Sequence, residues 1–254
     1  MSNNKNSADL FRAILVLVAT IGTIAFNGLA AAGYVNGVTP AEISDKYPTI
    51  LTPAGYAFSI WSLIYVGMIA FSIYQLLPSQ LERFRQVRTL YILSCLLNCG
   101  WIYFWHRDSI GICLALITAL LASLVLIMWQ FRDAASAREA LFTKAPFGLY
   151  AGWVTAATLV NLAIFLTASG AAISANVWNM IGISSLLLAA AAAVVVRFRL
   201  RHFLYPVAVA WAATAIAVKK SGHLAIIVTA AVCVIICLVL AVSFVMDQKS
   251  TSTT

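Results

Sequence analysis

Charge is the property this sequence has least of. Only 9% of its 254 residues are Asp, Glu, Lys or Arg, and 63% are hydrophobic, where a soluble domain carries roughly a quarter charged residues. The mean hydropathy is +0.95. Folded in water, such a chain would expose large contiguous apolar patches; a lipid bilayer is the solvent it fits and the first partner it implies. The little charge present is unbalanced, 16 Lys and Arg against 8 Asp and Glu for a formal net charge of +8. In a soluble protein that excess would suggest nucleic acid. Here the basic residues stand in short gaps between apolar runs, the pattern of a topology signal, and no nucleic-acid partner is expected.

Clusters that carry chemistry are missing as well. No Asp, Glu, Lys or Arg stands near the middle of an apolar run, which speaks against a proton-driven pump, because a group at that depth must carry the proton. There is no phosphate-binding GxxxxGK[ST], no metal-ligand cluster and no nucleophile–base pair at useful spacing. The five cysteines (Cys95, Cys99, Cys113, Cys233 and Cys237) lack CxxC spacing. Two of their pairs stand at i, i+4 on one helix face and read as soft packing residues. His106, His202 and His223 fall at the ends of runs and read as interfacial. The sequence offers no catalytic residue, no metal site and no required cofactor.

What is present is length. Runs sufficient to cross about 30 Å of hydrocarbon need about 20 residues, and they occupy 10–33, 53–77, 88–106, 109–131, 146–168, 173–196, 203–218 and 224–246. The expectation is an all-α polytopic transmembrane bundle of eight spans. The seventh run is short, with Pro206 in its first turn, where proline is tolerated. With the N-terminus inside, inner segments hold Lys5, Arg12, Arg83, Arg85, Arg88, Arg132, Arg138, Lys144, Arg197, Arg199, Arg201 and Lys249. Outer segments hold only Lys46, Arg107, Lys219 and Lys220, so the count is twelve against four, a positive-inside bias. A re-entrant seventh run would give thirteen against three. Charge therefore settles the first six spans and leaves the last two open.

Lys5, Arg12, the first run and Ala30-Ala31-Ala32 imitate a secretory signal. The run is longer than an ordinary signal core and more spans follow, so it reads as an uncleaved first span. Its small residues Gly22, Gly28 and Gly33 permit close helix contact, within a chain or in a homodimer. In the loop that follows, Thr39-Pro40-Ala41-Glu42 is a capping box with proline at the first helical position, which predicts a short helix from Pro40 to Lys46. The N-terminal Ser/Asn tract and the Lys249–Thr254 tail read as disordered.

Inside the runs, aromatic and amide side chains recur at helical spacing. Phe58, Trp61 and Tyr65 share a face of the second run, Asn98, Trp101 and Trp105 a face of the third, and Tyr150, Trp153, Ala157 and Asn161 a face of the fifth. An asparagine in hydrocarbon must be paired, so Asn98 and Asn161 should face protein or a cavity. Trp and Tyr offer flat apolar faces with one polar handle each, which suits a planar hydrophobic ligand; helix packing or an interfacial belt is the alternative use. Trp129, Trp178 and Trp211 lack companion stripes and read as packing or belt residues.

Three segments in register resemble the TspO/MBR family of tryptophan-rich sensory proteins, related to the translocator protein. Thr52-Pro53-Ala54-Gly55-Tyr56-Ala57-Phe58-Ser59-Ile60-Trp61-Ser62-Leu63-Ile64-Tyr65 resembles its proline-led second helix, Leu97-Asn98-Cys99-Gly100-Trp101 its L-N-x-x-W, and Tyr150 through Trp153 and Ala157 to Asn161 its fifth-helix pattern. Departures are a single proline, Pro53, for the usual pair; Ser59-Ile60 for Pro-Val; Leu149 for a proline; and no tryptophan in the first loop. The resemblance covers residues 10–168. It divides the chain into a five-helix TspO-like core, 1–168, and a three-helix extension, 169–254, like that of a longer bacterial branch.

The resemblance implies a bacterial inner-membrane protein with a cytoplasmic N-terminus. It also implies a tetrapyrrole-like or other porphyrin- or haem-like ligand and a sensory or regulatory role. The ligand residues it implies are Trp61, Tyr65, Asn98, Trp101, Trp105, Tyr150, Trp153, Ala157 and Asn161. The competing reading is a transporter or facilitator of small hydrophobic solutes, with Asn27, Asn176 and Asn179 along its path. A porphyrin-degrading enzyme ranks last, for want of an acid–base pair.

Overall fold

A computed structural model of the chain describes the backbone of residues 2–251 and the side chains of residues 7–244. Expectations for residues 252–254, and for the side chains of Lys5 and Lys249, lie outside the described residues. The Ser/Asn tract expected to lack order is helical from Ser2.

Helices follow the apolar runs. They are α1 (Ser2–Ala31), α2 (Pro40–Lys46), α3 (Ile60–Tyr74), α4 (Arg85–Trp105), α5 (Ile110–Gln130), α6 (Ala137–Phe142), α7 (Lys144–Ala168), α8 (Ala175–Val195), α9 (Tyr205–Lys219) and α10 (Leu224–Thr251). A tight turn, Gly55–Ser59, leads into α3, and α8 ends in a π turn, Val196–Leu200. Among the described residues, seven helical segments are long and apolar enough to cross a membrane. The protein is a multi-pass helical membrane protein.

The exception in length is α9, whose 15 residues reach about 22 Å, short of a hydrocarbon core. Its contacts nonetheless place its two ends at opposite faces of the bundle. Just before it, His202 lies 3.1 Å from the Lys144 carbonyl and 3.0 Å from the Met128 carbonyl, at the face where α1 begins (the proximal face). At its far end Lys219 pairs with Asp45 at 2.9 Å, and the Ala215 carbonyl accepts from Ala54 N at 3.0 Å. Lys219 thus stands on the distal face, beside the loop after α1, and α9 makes an eighth crossing. It can be short because protein, rather than lipid, covers most of it: Tyr205, Ala208, Val209, Ala212, Ala213, Ala215 and Ile216 are all buried.

All three histidines stand at the ends of their helical segments, as expected. His106 and His202 are buried, and only His223 is exposed. Burial pushes the His202 imidazole down to about 4, so it is neutral at pH 7.

The capping box forms as expected. Glu42 N donates to Thr39 Oγ1 at 3.3 Å while Thr39 N donates to Glu42 Oε2 at 2.7 Å, and the helix runs over Pro40–Lys46. The two donors from Thr39 hold the Glu42 carboxyl below its ordinary range. Because Trp105 Nε1 donates to the Pro40 carbonyl at 3.1 Å, α2 is fastened over the distal end of α4. Thr39→Ala is expected to loosen this cover, seen as faster amide exchange over residues 40–46 with little change in melting temperature; unchanged exchange would mean that the box is idle.

Polar side chains tie α1 to α3 and α4 along their length. At the proximal end Asp9 pairs with Arg85, and Arg88 Nε donates to Gln75 Oε1 at 2.9 Å. Further in, Thr20 Oγ1 lies 2.6 Å from both Ser72 Oγ and Tyr91 OH. Towards the distal end Asn27 Nδ2 donates to Asn98 Oδ1 at 2.7 Å, and Asn98 Nδ2 to Tyr150 OH at 3.0 Å. The glycines of α1 take no part in close packing: a Cβ on Gly22 or Gly28 would meet nothing within 4 Å. Close approach occurs instead at Gly152, where a Cβ would lie 2.5 Å from the Tyr205 carbonyl oxygen. Helices α7 and α9, on either side of residue 168, are in intimate contact there.

Candidate functional site

At the distal ends of α3, α4, α7 and α9 the aromatic stripes converge. Trp61 comes from α3, Trp101 and Trp105 from α4, and Trp153, Ala157 and Asn161 from α7. They line a small cavity with Phe58, Ser44 of α2, Pro53, and Ala212 and Ile216 of α9. Helical spacing brings each stripe inward: residues at i, i+4 and i, i+8 stay on one face, and the opposite faces carry the aliphatic residues.

The rings form a box. Trp101 and Trp105 stack with centroids 5.3 Å apart and planes at 22°. Trp153 meets Trp61 edge-on at 6.4 Å and Phe58 edge-on at 6.0 Å. These edge-to-face contacts suit the ring quadrupoles. The indole donors differ in what they find. Trp101 Nε1 donates to Asn161 Oδ1 at 3.2 Å, and Asn161 Nδ2 donates to the Ala157 carbonyl at 2.8 Å. Trp105 Nε1 is spent on Pro40. Trp153 Nε1 is buried and has no hydrogen-bond partner among the described residues. A buried donor left unpaired costs about 1–3 kcal/mol.

No charged side chain lines the cavity. Its chemistry is flat apolar surface, which can hold a planar apolar group. Its free volume is about 30 Å³, room for one or two waters and far below the roughly 300–1,000 Å³ of drug-sized sites. A second groove of about 410 Å³ lies on the other side of Trp61 and Phe58. It is bounded by Asn27, Gly28 and Ala31 of α1, Thr39–Ala41, Tyr65 and Ile102. Trp61 and Phe58 line both spaces and form the partition between them.

Of the nine residues the sequence pointed to, six line the cavity. Tyr65 lines the larger groove, its ring stacked on Trp61 at 5.6 Å. Asn98 and Tyr150 sit behind the box: their polar atoms bond to each other and on to Asn27, while the Tyr150 ring supports Trp61 edge-on at 5.7 Å. Ala212 and Ile216 were not anticipated. The signal for them is the small-residue face Ala208, Ala212 and Ala215 of α9, which allows a neighbour close; which neighbour, the sequence does not say. Trp211 packs as expected, donating to the Ala57 carbonyl at 3.0 Å against Tyr56. Trp129 is exposed near Arg132.

The sequence model of a family described as TSPO-like protein matches residues 13–244. The match runs past residue 168 through α8 and α9 and most of α10, so the likeness is not confined to the first five spans. No curated protein matches the chain, and no solved structure does.

Proposed function

The chain belongs to the TSPO-like protein family, and we propose that it binds a planar hydrophobic ligand of the tetrapyrrole class in the tryptophan box, in a sensory or regulatory role. The observation that carries this reading is a cavity walled by four tryptophans, one of which, Trp153, has a buried N–H without a partner among the described residues. Such a ligand offers ring faces to Trp61 and Trp101 and a nitrogen or carbonyl acceptor to Trp153. A whole tetrapyrrole does not fit in about 30 Å³, so binding swings Trp61 and Phe58 and joins the cavity to the larger groove. The protein sits in a bacterial inner membrane with the proximal face cytoplasmic. Support for that orientation comes from the basic residues of the proximal face, Arg83, Arg85, Arg88, Arg132, Arg138, Lys144, Arg197, Arg199 and Arg201 among them.

Titration of the detergent-solubilised protein with protoporphyrin, read by tryptophan quenching and by the porphyrin absorption band, tests the site. Trp153→Phe keeps the ring and removes the donor; Asn161→Ala frees Trp101. Together they are expected to weaken binding at least about tenfold, the effect of losing one or two buried hydrogen bonds. An unchanged affinity in a folded double variant removes the site assignment. Binding without flux of the ligand in proteoliposomes would separate a sensor from a facilitator.

A further inference from the structure

A second polar groove opens on the distal face, away from the tryptophan box. Its free volume is about 380 Å³, and it is lined by Pro48, Ile50, Trp178, Asn179, Lys220 and His223, with threonines and alanines between them. Half of this wall comes from α8 and from the turn joining α9 to α10, where His223 N donates to the Lys220 carbonyl at 2.8 Å and closes the two basic side chains onto one tight turn.

The charges around the groove are uneven. Of the basic residues on the distal face, Lys46 pairs with Asp108 at 3.1 Å and Lys219 with Asp45 at 2.9 Å. The Arg107 guanidinium lies 4.2 Å from the centre of the Tyr103 ring. Lys220 has no ion pair among the described residues. The carboxylates of that face are already engaged, Glu42 by Thr39 and the two aspartates by Lys46 and Lys219. Among the described residues no acidic side chain lines the groove. Partial burial and the neighbouring Lys219 push the Lys220 amine down, against a smaller opposing pull from Asp45, so its charge is held at a cost that an anion beside it would offset. Asn179 makes no side-chain hydrogen bond among the described residues, and its amide adds donors on the same wall. Trp178, Pro48 and Ile50 supply an apolar floor.

We propose that this groove binds an oxyanion of the phosphate type carried on an apolar body. Lys220, His223 and Asn179 hold the anion, and Trp178 and Ile50 hold the apolar part. The groove lies where α7 and α9 end and α8 begins, a place a phospholipid headgroup would reach; a soluble phosphate ester offers the same chemistry. The site is independent of the tryptophan box and stands or falls without it. It gives the helices after residue 168 a ligand of their own.

The test uses the full chain in nanodiscs of phosphatidylcholine doped with phosphatidylglycerol, with native mass spectrometry reading the lipid retained after release. Wild-type protein is expected to retain phosphatidylglycerol in preference to phosphatidylcholine. Lys220→Gln with His223→Gln reduces that retention by about tenfold or more, as loss of charge-assisted hydrogen bonds requires. Lys220→Arg restores it, and Lys46→Gln, whose partner is Asp108, leaves it within about twofold. Displacement of the lipid by millimolar inorganic phosphate would support the same site with a soluble anion as its source. Equal retention by the double variant at an unchanged melting temperature would overturn the proposal, as would equal retention of the two lipids by the wild type.

Discussion

Gly152→Val is expected to destabilise the bundle by about 3 kcal/mol or more, at the upper end of what overpacking costs. Even the single carbon of alanine would lie 2.5 Å from the Tyr205 carbonyl oxygen and 2.9 Å from Ala208 Cβ. Both obstacles belong to the α9 backbone or stand directly on it, so no side-chain rotation relieves them. Helix α9 cannot simply retreat. Its first turn is fastened to α7 by Tyr205 OH and Thr155 Oγ1 at 2.7 Å, and neutral His202 ties the preceding loop by donating its single N–H to one of the two carbonyls beside it. Valine therefore forces α7 and α9 apart and opens the seam that brings Ala212 and Ile216 into the tryptophan box. Thermal melting in detergent should show the loss, with Gly22→Ala as the control. That position is open to 4 Å, and removal of a helical glycine there is neutral or stabilising by up to about 1 kcal/mol. Equal melting temperatures for Gly152→Val and wild type would show that the seam is not packed in this way.

The second large effect is expected at Asn98→Ala. The side chain bridges Asn27 of α1 and Tyr150 of α7 across the inside of the bundle, with bonds of 2.7 and 3.0 Å. Its removal leaves the buried Tyr150 hydroxyl and one Asn27 N–H short of a partner. Unpaired buried groups cost about 1–3 kcal/mol each, whereas interhelical hydrogen bonds within bilayers average nearer 0.6 kcal/mol; about 2 kcal/mol in total is the expected loss. Asn27 keeps its bond to the Thr23 carbonyl at 2.9 Å, which limits the damage on that side. Tyr150→Phe in the Asn98→Ala background should then cost less than it does in wild type, with a coupling of about 1 kcal/mol. Strict additivity in this double-mutant cycle would mean that the Asn98–Tyr150 bond carries no weight.

These two positions differ in how visible they are in the sequence. Asn98 stands out as a polar residue in an apolar run, and the cost of burying an amide predicts that it is paired. Its partners lie 71 and 52 positions away, and no local pattern names them. Gly152 is one of 13 glycines, and its spacing does not distinguish it from Gly22, which packs against nothing. The stripes through Trp61, Trp101 and Trp153 were legible because helical periodicity alone puts their members on one face. Whether a stripe faces a cavity depends on how each helix is rotated, and that is a property of its neighbours. For this reason Asn98 and Tyr150 share faces with cavity residues and yet lie one layer behind them. The groove around Lys220 and His223 had no sequence signature at all: its wall is assembled from residues 48–50, 167–179 and 220–223, and each piece reads as an ordinary loop end.

By itself the sequence determined membrane residence, the first six spans, the capped helix at Pro40–Lys46 and the three aromatic stripes. Each of these follows from hydropathy, charge placement or periodicity within about 20 neighbouring residues. Only the tertiary structure decided that α9 crosses, since at 15 residues its length was ambiguous and its charges fitted two topologies. It also decided which stripe residues meet, and that α9 completes a cavity begun by α3, α4 and α7. Those outcomes depend on the order and rotation of helices around the bundle, and the contacts that set them are made between segments far apart in the chain.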